Sequence, residues 1–402
     1  MLTFLPRYTS SFSVREVLAA CWQLRLHAQP ALTLFGTKIT LYRSASDALY
    51  AYLRKHRIQG TILVPAYTCE RVVSALVSAG CSPAFVDVDR ATGVMTAASV
   101  EAFRGKILAA VIVTHLFGYR APLEHIIHYC RTHNIKVIED AALALPAVVH
   151  AASQVWPQAS LVSLGKGKLF SLGYGGMLIE YPSKDTELET PLPQHIPNWD
   201  SRWFTTLTYI ARLVGYASPL WTWRLWLVSC VQQLLGDHRR KERFQPERVN
   251  GKSLPDTIIR LVAHLLTTEH ITRELTHRNR ISRVYHEQIH TNDVIRKLPI
   301  GDFDNFITPS YPMFCQHKHE LHIYLAHKGF DTGTYFDYCI GQLLTQDRFP
   351  NGEHIAEQIV LLPTHMQVTE KKAIQLANLI NQWASTLESR DVLHETNTAS
   401  VL

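Results

Sequence analysis

The feature that most constrains the fold is a regular alternation between about residues 36 and 182. Short runs rich in Val and Ile alternate there with longer amphipathic stretches, which is typical of βαβ units. The runs that read as strands are 61–65, 83–89, 107–115 and 136–140, and the stretches with helical spacing are 69–79, 97–104 and 121–132. Because the runs are almost continuously apolar, they indicate parallel strands buried on both faces. The alternation therefore predicts an α/β fold with a mostly parallel central sheet flanked by helices.

The pattern changes in the second half of this 402-residue chain. A helical stretch from 252 to 290 precedes a strand at 311–315, and helical spacing returns at 317–328 and 369–386. A chain of this length exceeds what one compact core usually supports. We therefore predict a large domain over residues 1–251, a smaller C-terminal α+β domain over 252–390 and a flexible polar tail over 391–402.

Composition excludes several classes of protein. Apolar residues make up 47% of the chain and charged residues 18%, which excludes compositional disorder. Lys and Arg outnumber Asp and Glu by 40 to 34, too small an excess for a nucleic-acid binder. The seven cysteines form no C-x-x-C pair, which predicts reduced thiols and no metal site. Arg7 and Arg15 interrupt the first apolar residues, so we expect no secretory signal peptide and a cytoplasmic protein.

A candidate phosphate site lies in LYRSASDAL, residues 41–49, where small polar residues precede a predicted helix. Free backbone N–H groups and the helix dipole at such a start can receive a phosphate. Ser46 and the amide of Asp47 are the candidate ligands. The alternative is that the serine only caps the helix.

A carboxylate follows the apolar strand in KVIEDAALALPA, where Asp140 stands at the strand's carboxyl end. Ligands of α/β proteins gather at such ends. Pyridoxal phosphate (PLP) withdraws electrons only while its pyridine nitrogen is protonated, and a buried carboxylate at that nitrogen keeps it so. Ala142, two residues further on, is small enough for the flat ring to lie close. The alternative is that Asp140 caps a following helix.

The stretch SLVSLGKGKLFSLGYGG sets Ser163 and Lys168 five residues apart in a glycine-rich turn, before the pair Gly175 and Gly176. Lysine forms an imine with an aldehyde only as the free amine, which burial and nearby positive charge promote. Lys166 is the rival nucleophile, and two solvent-facing charges are the alternative for both lysines. The spacing from Ser163 and to the glycine pair favours Lys168.

A fourth motif, VPAYTCE at 64–70, places Tyr67 and Cys69 after a predicted strand, where a side chain could cover the cofactor ring. Packing in the core is the alternative for the tyrosine. The sequence leaves open which of the two residues covers the ring.

In their order along the chain these motifs resemble those of the DegT/DnrJ/StrS-type sugar aminotransferases, which are fold-type I PLP enzymes. The resemblance runs through SASDAL, LVPAYTCERVVSALVSAGCSPAFVDVD, VIVTHLFGY, VIEDAALA, SLGKGK and GYGG, and resumes in YPMFC, KGFDTGTYF and IVLLPTHMQVTEKK. It implies that Lys168 holds the cofactor as a Schiff base. The other implied cofactor-binding residues are Ser46, Asp47 and Ser163 at the phosphate, Asp140 at the pyridine nitrogen, and Ala142 and Cys69 at the ring.

The resemblance also implies a homodimer with active sites at the subunit interface. The reaction it implies moves an amino group from glutamate to a keto sugar that is usually linked to a nucleotide, and we keep a polyprenyl-linked sugar as an alternative acceptor. Such sugars serve cell-surface polysaccharide or secondary-metabolite biosynthesis.

Three departures leave other functions open. Leu143 stands where the family usually has a glutamine, Cys69 stands where an aromatic or branched residue is often found, and the family's asparagine-bearing motif is missing. The alternatives are another PLP reaction, such as dehydration or elimination, and a non-catalytic sensor or assembly protein that kept the fold.

The missing motif is replaced by residues 199–243, which hold five of the eight tryptophans. Only Arg212 and Arg224 are charged between 203 and 236, and a basic cluster follows at 238–243. The pattern predicts a helix ending near Gly215 and a second between Ser218 and Gly236. We favour packing in the dimer or between domains. The alternative is peripheral contact of residues 203–243 with the inner face of a membrane.

Overall fold

The computed structural model describes residues 4–23, 33–34, 37–103, 107–146, 155–181, 199–218, 220–221, 224, 244–303 and 306–399. Two sheets organise the described residues. Their strands are β1 Thr33–Leu34, β2 Thr37–Tyr42, β3 Gly60–Pro65, β4 Cys81–Val86, β5 Leu108–Thr114, β6 Lys136–Asp140, β7 Ala159–Ser163, β8 Gly176–Glu180, β9 Ile295–Lys297, β10 Ser310–Cys315 and β11 Ile359–Pro363. The first eight form the large sheet and the last three the small one.

The helices that accompany the large sheet are α1 Val14–Gln23, α2 Ala45–Lys55, α3 Glu70–Ala79, α4 Ala97–Ala102, α5 Leu123–Thr132, α6 Trp199–Ala217 and α7 Asp256–Leu265. Those that follow are α8 Thr268–Gln288, α9 Lys318–His327, α10 Ile340–Thr345, α11 Pro350–Gln358 and α12 Glu370–Ala399. All three predicted helices between the strands of the first half are present, as α3, α4 and α5.

The large sheet has the order β1-β2-β8-β7-β6-β5-β3-β4. Strands β4, β3, β5, β6 and β7 run parallel to one another, whereas β8, β2 and β1 each pair antiparallel with their neighbours. The predicted strand 136–140 matches β6 residue for residue because its last four residues are fully covered on both faces. The predicted mostly parallel sheet flanked by helices is confirmed.

The structure differs from the sequence prediction in two places. The helical stretch 252–290 is two helices, because the side chain of Thr267 accepts a hydrogen bond from the backbone N–H of His270 at 3.2 Å and starts α8 anew. Residues 391–399, predicted as an unpatterned tail, continue α12, since neither Gly nor Pro interrupts the sequence from Glu370 to Ala399.

Helix α7 packs on the large sheet. Its buried residues Ile258, Leu261 and Val262 share one apolar cluster with Leu41 of β2 and Met177 of β8. The packing associates residues 256–265 with the large domain, whereas the predicted division placed them in the small one. The division at residue 251 stays a prediction.

Helix α6 covers the first half of the tryptophan-rich insertion and ends two residues after Gly215, where the sequence predicts its end. Tyr209 and Leu213 of this helix are buried in the cluster that also holds the α7 residues. Most of the second predicted helix, and the basic cluster at 238–243, lie outside the described residues. No helix within the described ranges is long and apolar enough to cross a membrane.

Candidate active site

The N-terminus of α2 presents two buried polar residues, Ser46 and Asp47. The helix cap is Ser44, whose hydroxyl accepts a hydrogen bond from the backbone N–H of Asp47 at 3.1 Å. A serine therefore does cap this helix, as the alternative predicts, but the cap is Ser44, and a phosphate at Ser46 stays a prediction. The Ser46 hydroxyl lies 2.8 Å from Ser44 Oγ and accepts a hydrogen bond from an Arg71 guanidinium nitrogen at 3.4 Å. Arg71, which no sequence motif marks, thus lies beside the predicted phosphate site, and its guanidinium also forms an ion pair with Glu247.

The Asp47 side chain holds the loop that follows the insertion. Its carboxylate accepts hydrogen bonds from Ser44 Oγ at 2.7 Å and from the backbone N–H of Gly251 at 3.0 Å. The amide that the sequence analysis offers to a phosphate is already bonded to the cap residue. Asp47 thus positions the start of α2 with both its side chain and its amide.

The glycine pair brings the start of α2 to the sheet. Gly176 pairs with Tyr42 on one side and with Ser163 on the other, so Ser163 lies two strands from the residue that leads into α2. A Cβ atom on Gly176 would lie 2.2 Å from the backbone nitrogen of Ala45, the first residue of α2. Only glycine allows this approach, which gathers Ser163 and the α2 N-terminus at one end of the sheet.

Lys168 lies in a glycine-rich loop between β7 and β8. The side chain of Ser171 holds this loop in place. Ser171 Oγ accepts a hydrogen bond from the backbone N–H of Gly167 at 3.0 Å and donates to the carbonyl of Gly165 at 3.2 Å. Gly167 has a φ of +70°, in the left-handed region that favours glycine. Burial lowers the pKa of the Lys168 ammonium, opposed by the neighbouring Cys69 and by Asp140. The lowered pKa raises the fraction of free amine at neutral pH.

Asp140 ends β6, is almost fully buried, and faces the same site. Burial raises the pKa of its carboxyl group, while the backbone N–H of Ala142, the Lys168 ammonium and His115 act in the opposite direction. The Ala142 N–H donates to Asp140 Oδ1 at 3.0 Å. Within the described residues 141–146 no helix begins, so the helix-cap alternative for Asp140 is wrong.

Cys69 and Tyr67 have different environments. Tyr67 is fully buried among aromatic residues, 5.4 Å from the ring of Phe336, and its hydroxyl donates to the Phe336 carbonyl at 3.1 Å. Cys69 precedes α3, and the charge of Lys168 lowers the pKa of its thiol against the larger raising effect of burial. Tyr67 therefore lies in the core, whereas Cys69 lies close enough to Lys168 to sense its charge, and contact of either residue with the ring stays a prediction.

Two threonine hydroxyls near the carboxyl ends of parallel strands lack hydrogen-bond partners within the described part of the chain. Thr68 follows β3 and is fully buried, and Thr114 ends β5 directly opposite Asp140 in the register. A buried hydroxyl without a partner is costly in a folded protein. These hydroxyls therefore indicate a site for a polar ligand. Neither threonine stands in a recognisable motif, because its significance depends on strand register.

A buried pair lies on the face of the sheet opposite Asp140. Its members are Glu139 of β6 and His115, which directly follows β5. His115 Nδ1 accepts a hydrogen bond from the backbone N–H of Ala121 at 3.1 Å, so its Nε2 donates to Glu139 at 2.8 Å. The backbone N–H of His115 donates to the carbonyl of Asp140 at 3.1 Å. The pair thus joins the ends of β5 and β6 behind the candidate site.

The rival lysine lies apart from this cluster. Lys166 is exposed, and its ammonium group sits 4.0 Å from the ring centroid of Trp221. Leu143, at the position of the expected glutamine, is buried in the apolar core and adds no polar group to the site.

Comparison with known proteins identifies a family that the chain resembles. Residues 36–194 match the sequence model of the DegT/DnrJ/EryC1/StrS aminotransferase family. The UDP-N-acetyl-3-dehydro-alpha-D-glucosamine 3-aminotransferase of Acidithiobacillus ferrooxidans is 31% identical over 180 residues, which cover 42% of this chain and 47% of that protein. The chain thus spans less than half the length of this curated relative. The resemblance drawn from the motifs is confirmed.

Solved structures show the same fold over nearly the whole chain. DesI, in the presence of its TDP-sugar product, has a TM-score of 0.69 at 14% identity, covering 98% of this chain and 96% of its own. NtdA from Bacillus subtilis, with the bound cofactor PMP, has a TM-score of 0.65 at 14% identity, covering 95% of this chain and 86% of its own. The predicted fold-type I architecture is confirmed.

Proposed function

Because residues 36–194 carry the signature of the DegT/DnrJ/EryC1/StrS aminotransferases on a fold-type I scaffold, we propose that this chain is a PLP-dependent aminotransferase. The observation that carries the proposal is that Lys168, on the loop after β7, and the buried Asp140, at the end of β6, lie close enough for the charge of each to shift the pKa of the other. An amine of lowered pKa beside a buried carboxylate is the pair that PLP chemistry requires.

The residues present fit PLP. Ser46 and Ser163, with Arg71 beside them, would hold its phosphate at the positive end of α2. Asp140 would face the pyridine nitrogen, with Ala142 and Cys69 at the ring, and the unpartnered hydroxyls of the strand ends offer hydrogen bonds to its polar groups. When bound, PLP supplies an aldehyde that captures amines and a protonated ring that withdraws electrons.

Lys168 performs two tasks in this proposal. As a free amine it would hold the aldehyde of the cofactor, which its lowered pKa favours. The same Nζ atom would accept the proton from the substrate carbon that bears the nitrogen. The nearby carboxylate of Asp140 would stabilise the protonated form of Lys168 while it holds that proton.

Asp140 would keep the ring nitrogen of the cofactor protonated. Its pKa is raised by burial in the protein alone, so a positive charge placed against it would favour the carboxylate form. The Ala142 N–H fixes one carboxylate oxygen, which sets the direction in which the other can accept a proton.

The substrates and assembly belong to the same proposal. We infer glutamate as the amino donor, a keto sugar on a nucleotide or polyprenyl carrier as acceptor, and a homodimer as the working form. The named relative acts on a UDP-linked sugar, which supports the acceptor class. All six described cysteines are free thiols, which supports a reducing compartment such as the cytoplasm.

The test compares two matched lysine variants of the purified protein. Lys168→Ala should lose the yellow colour of the lysine-bound cofactor, whereas Lys166→Ala should keep it, because only Lys168 lies at the buried site. Wild-type colour should shift on addition of glutamate. A colourless wild-type protein that takes up no PLP would support a sensor or assembly role, and loss of colour in Lys166→Ala alone would make the assignment wrong.

A further inference from the structure

A cavity lies on the side of the glycine-rich loop that carries Lys166, apart from the candidate active site. Its volume is about 520 Å³, within the range of small-molecule sites. The loop forms one wall, and the end of α6 with the residues after it forms the other. The side chains that characterise the cavity are Lys166, Tyr174, Arg212, Tyr216, Trp221 and Arg224.

Three cations converge there against aromatic rings. Lys166 Nζ lies 4.0 Å and Arg224 Cζ 5.3 Å from the centroid of the Trp221 ring, and Arg212 Cζ lies 5.3 Å from that of Tyr174. Partial desolvation lowers the pKa of Lys166 even though its side chain is exposed, and the nearby Arg224 lowers it further. No carboxylate within the described residues forms an ion pair with any of the three. Their mutual repulsion would be relieved by a bound anion.

Trp221 provides an independent observation. Its Nε1 atom is shielded from solvent and finds no hydrogen-bond acceptor in the described part of the chain. An indole nitrogen can only donate, so it needs an acceptor to recover the cost of its burial. A phosphate oxygen among the three cations would be that acceptor.

The cavity is coupled to the active-site loop by direct contacts. Tyr216 OH lies 2.7 Å from Ser171 Oγ, the same hydroxyl that bonds Gly165 and Gly167, which flank Lys166 and precede Lys168. Tyr216 also packs on Gly173, where a Cβ atom would lie 2.7 Å from its ring. A ligand in the cavity would therefore contact the outer side of the loop that holds the proposed nucleophile.

We propose that this cavity binds the diphosphate of the substrate's carrier group, and that Lys166, Arg212, Arg224 and the Trp221 N–H are its ligands. The proposal rests on the sugar aminotransferase function and adds the part of the protein that recognises the activated sugar. A diphosphate diester carries two negative charges, which three cations can neutralise. The aromatic walls provide flat apolar surface for the group beyond the diphosphate, either a nucleoside or a prenyl chain.

The test is calorimetric titration of the PLP-loaded protein with UDP, geranyl diphosphate and inorganic phosphate. Arg212→Ala and Arg224→Ala should each weaken diphosphate binding about tenfold or more, as expected for loss of a charge-assisted contact. Trp221→Phe keeps an aromatic ring without the N–H and should weaken binding less than either arginine variant. Arg283→Ala, which removes an arginine from the Phe303 ring elsewhere, is the matched control and should bind like wild type.

The ligands distinguish the two carriers. Tight binding of UDP alone would indicate a nucleotide carrier, tight binding of geranyl diphosphate alone a lipid carrier, and equal binding a site that recognises only the diphosphate. Unchanged titrations in both arginine variants would overturn the proposal, as would binding of inorganic phosphate alone. Dissociation of a dimer by these variants, with normal binding in the remaining dimer, would also overturn it. Because none of these readouts requires turnover, failure of transamination would be distinguishable from failure of this site.

Discussion

Acidification should destabilise this protein through two histidines of lowered pKa, His322 and His365. His322 is partly buried beside the cations Arg7 and Lys318, and burial lowers its pKa to about 3. Burial also lowers the pKa of His365 to about 3, where its Nε2 donates to the carbonyl of Pro6 at 2.8 Å. Neither ring can gain a proton in the folded state without placing an unpaired charge in the interior.

The sign and size follow from proton linkage. An unfolded histidine has a pKa of about 6.5, so below that pH the unfolded chain binds protons that the folded chain refuses. The stabilisation is complete above the unfolded pKa and is lost as the pH falls towards the folded pKa. At pH 5.5 each histidine lowers the free energy of unfolding by about 1.4 kcal/mol relative to pH 8, and the two together by about 3 kcal/mol.

The assay is urea unfolding at fixed protein concentration across this pH range, with His365→Asn compared with wild type. The variant is expected to be less stable at pH 8, because it loses the Pro6 contact, but its deficit should shrink by about 1.4 kcal/mol at pH 5.5. His290→Asn, at an exposed position, should run parallel to wild type. Parallel curves for His365→Asn and wild type would refute the reasoning, whatever their vertical offset.

Two further substitutions test the active-site geometry. Gly176→Ala should destabilise the protein by about 1–3 kcal/mol and weaken PLP binding, because its Cβ atom would lie 2.2 Å from the Ala45 nitrogen; Gly301→Ala, with open space around it, should stay within about 0.5 kcal/mol in the same unfolding assay. Asp140→Asn should bind PLP by spectral titration yet lose most turnover, since an amide cannot keep the ring nitrogen protonated. Without PLP it should raise the melting temperature at neutral pH, because burial raises the pKa of the carboxyl group and its ionisation opposes folding.

The large sheet could be predicted because the apolar sequence of each strand by itself indicates that the strand is buried. Burial on both faces makes a strand such as 136–140 apolar throughout, and that property needs no knowledge of its neighbours. The division between α7 and α8 could not be predicted, because helical spacing continues across Leu266 and Thr267. What separates the helices is a local capping bond at Thr267, which competes with continuation of the same periodicity.

Some residues of the candidate active site could be predicted from the sequence and others could not. Lys168 and Asp140 stand in local sequence contexts, a glycine-rich turn and a strand end, that already indicate their chemistry. Arg71 reaches Ser46 from a different helix, and Thr114 gains its position from pairing opposite Asp140. Contacts of this kind depend on how separate elements pack, so they cannot be predicted from the spacing of residues along the chain.

The tryptophan-rich insertion shows how a sequence anomaly acquires a meaning from packing. In the sequence, Arg212 and Arg224 interrupt an apolar stretch. On that evidence alone they argue against a helix lying on a membrane surface, because they break up its apolar face. In the structure, α6 buries Tyr209 and Leu213 against the large domain, while Arg212 lines the cavity that Arg224 also lines. Membrane contact through 203–243 stays a prediction, since much of that range lies outside the described residues. We therefore interpret both charges as ligands of that cavity, Arg212 on α6 and Arg224 beyond its end, and the loss of diphosphate binding on their removal is the measurement that decides it.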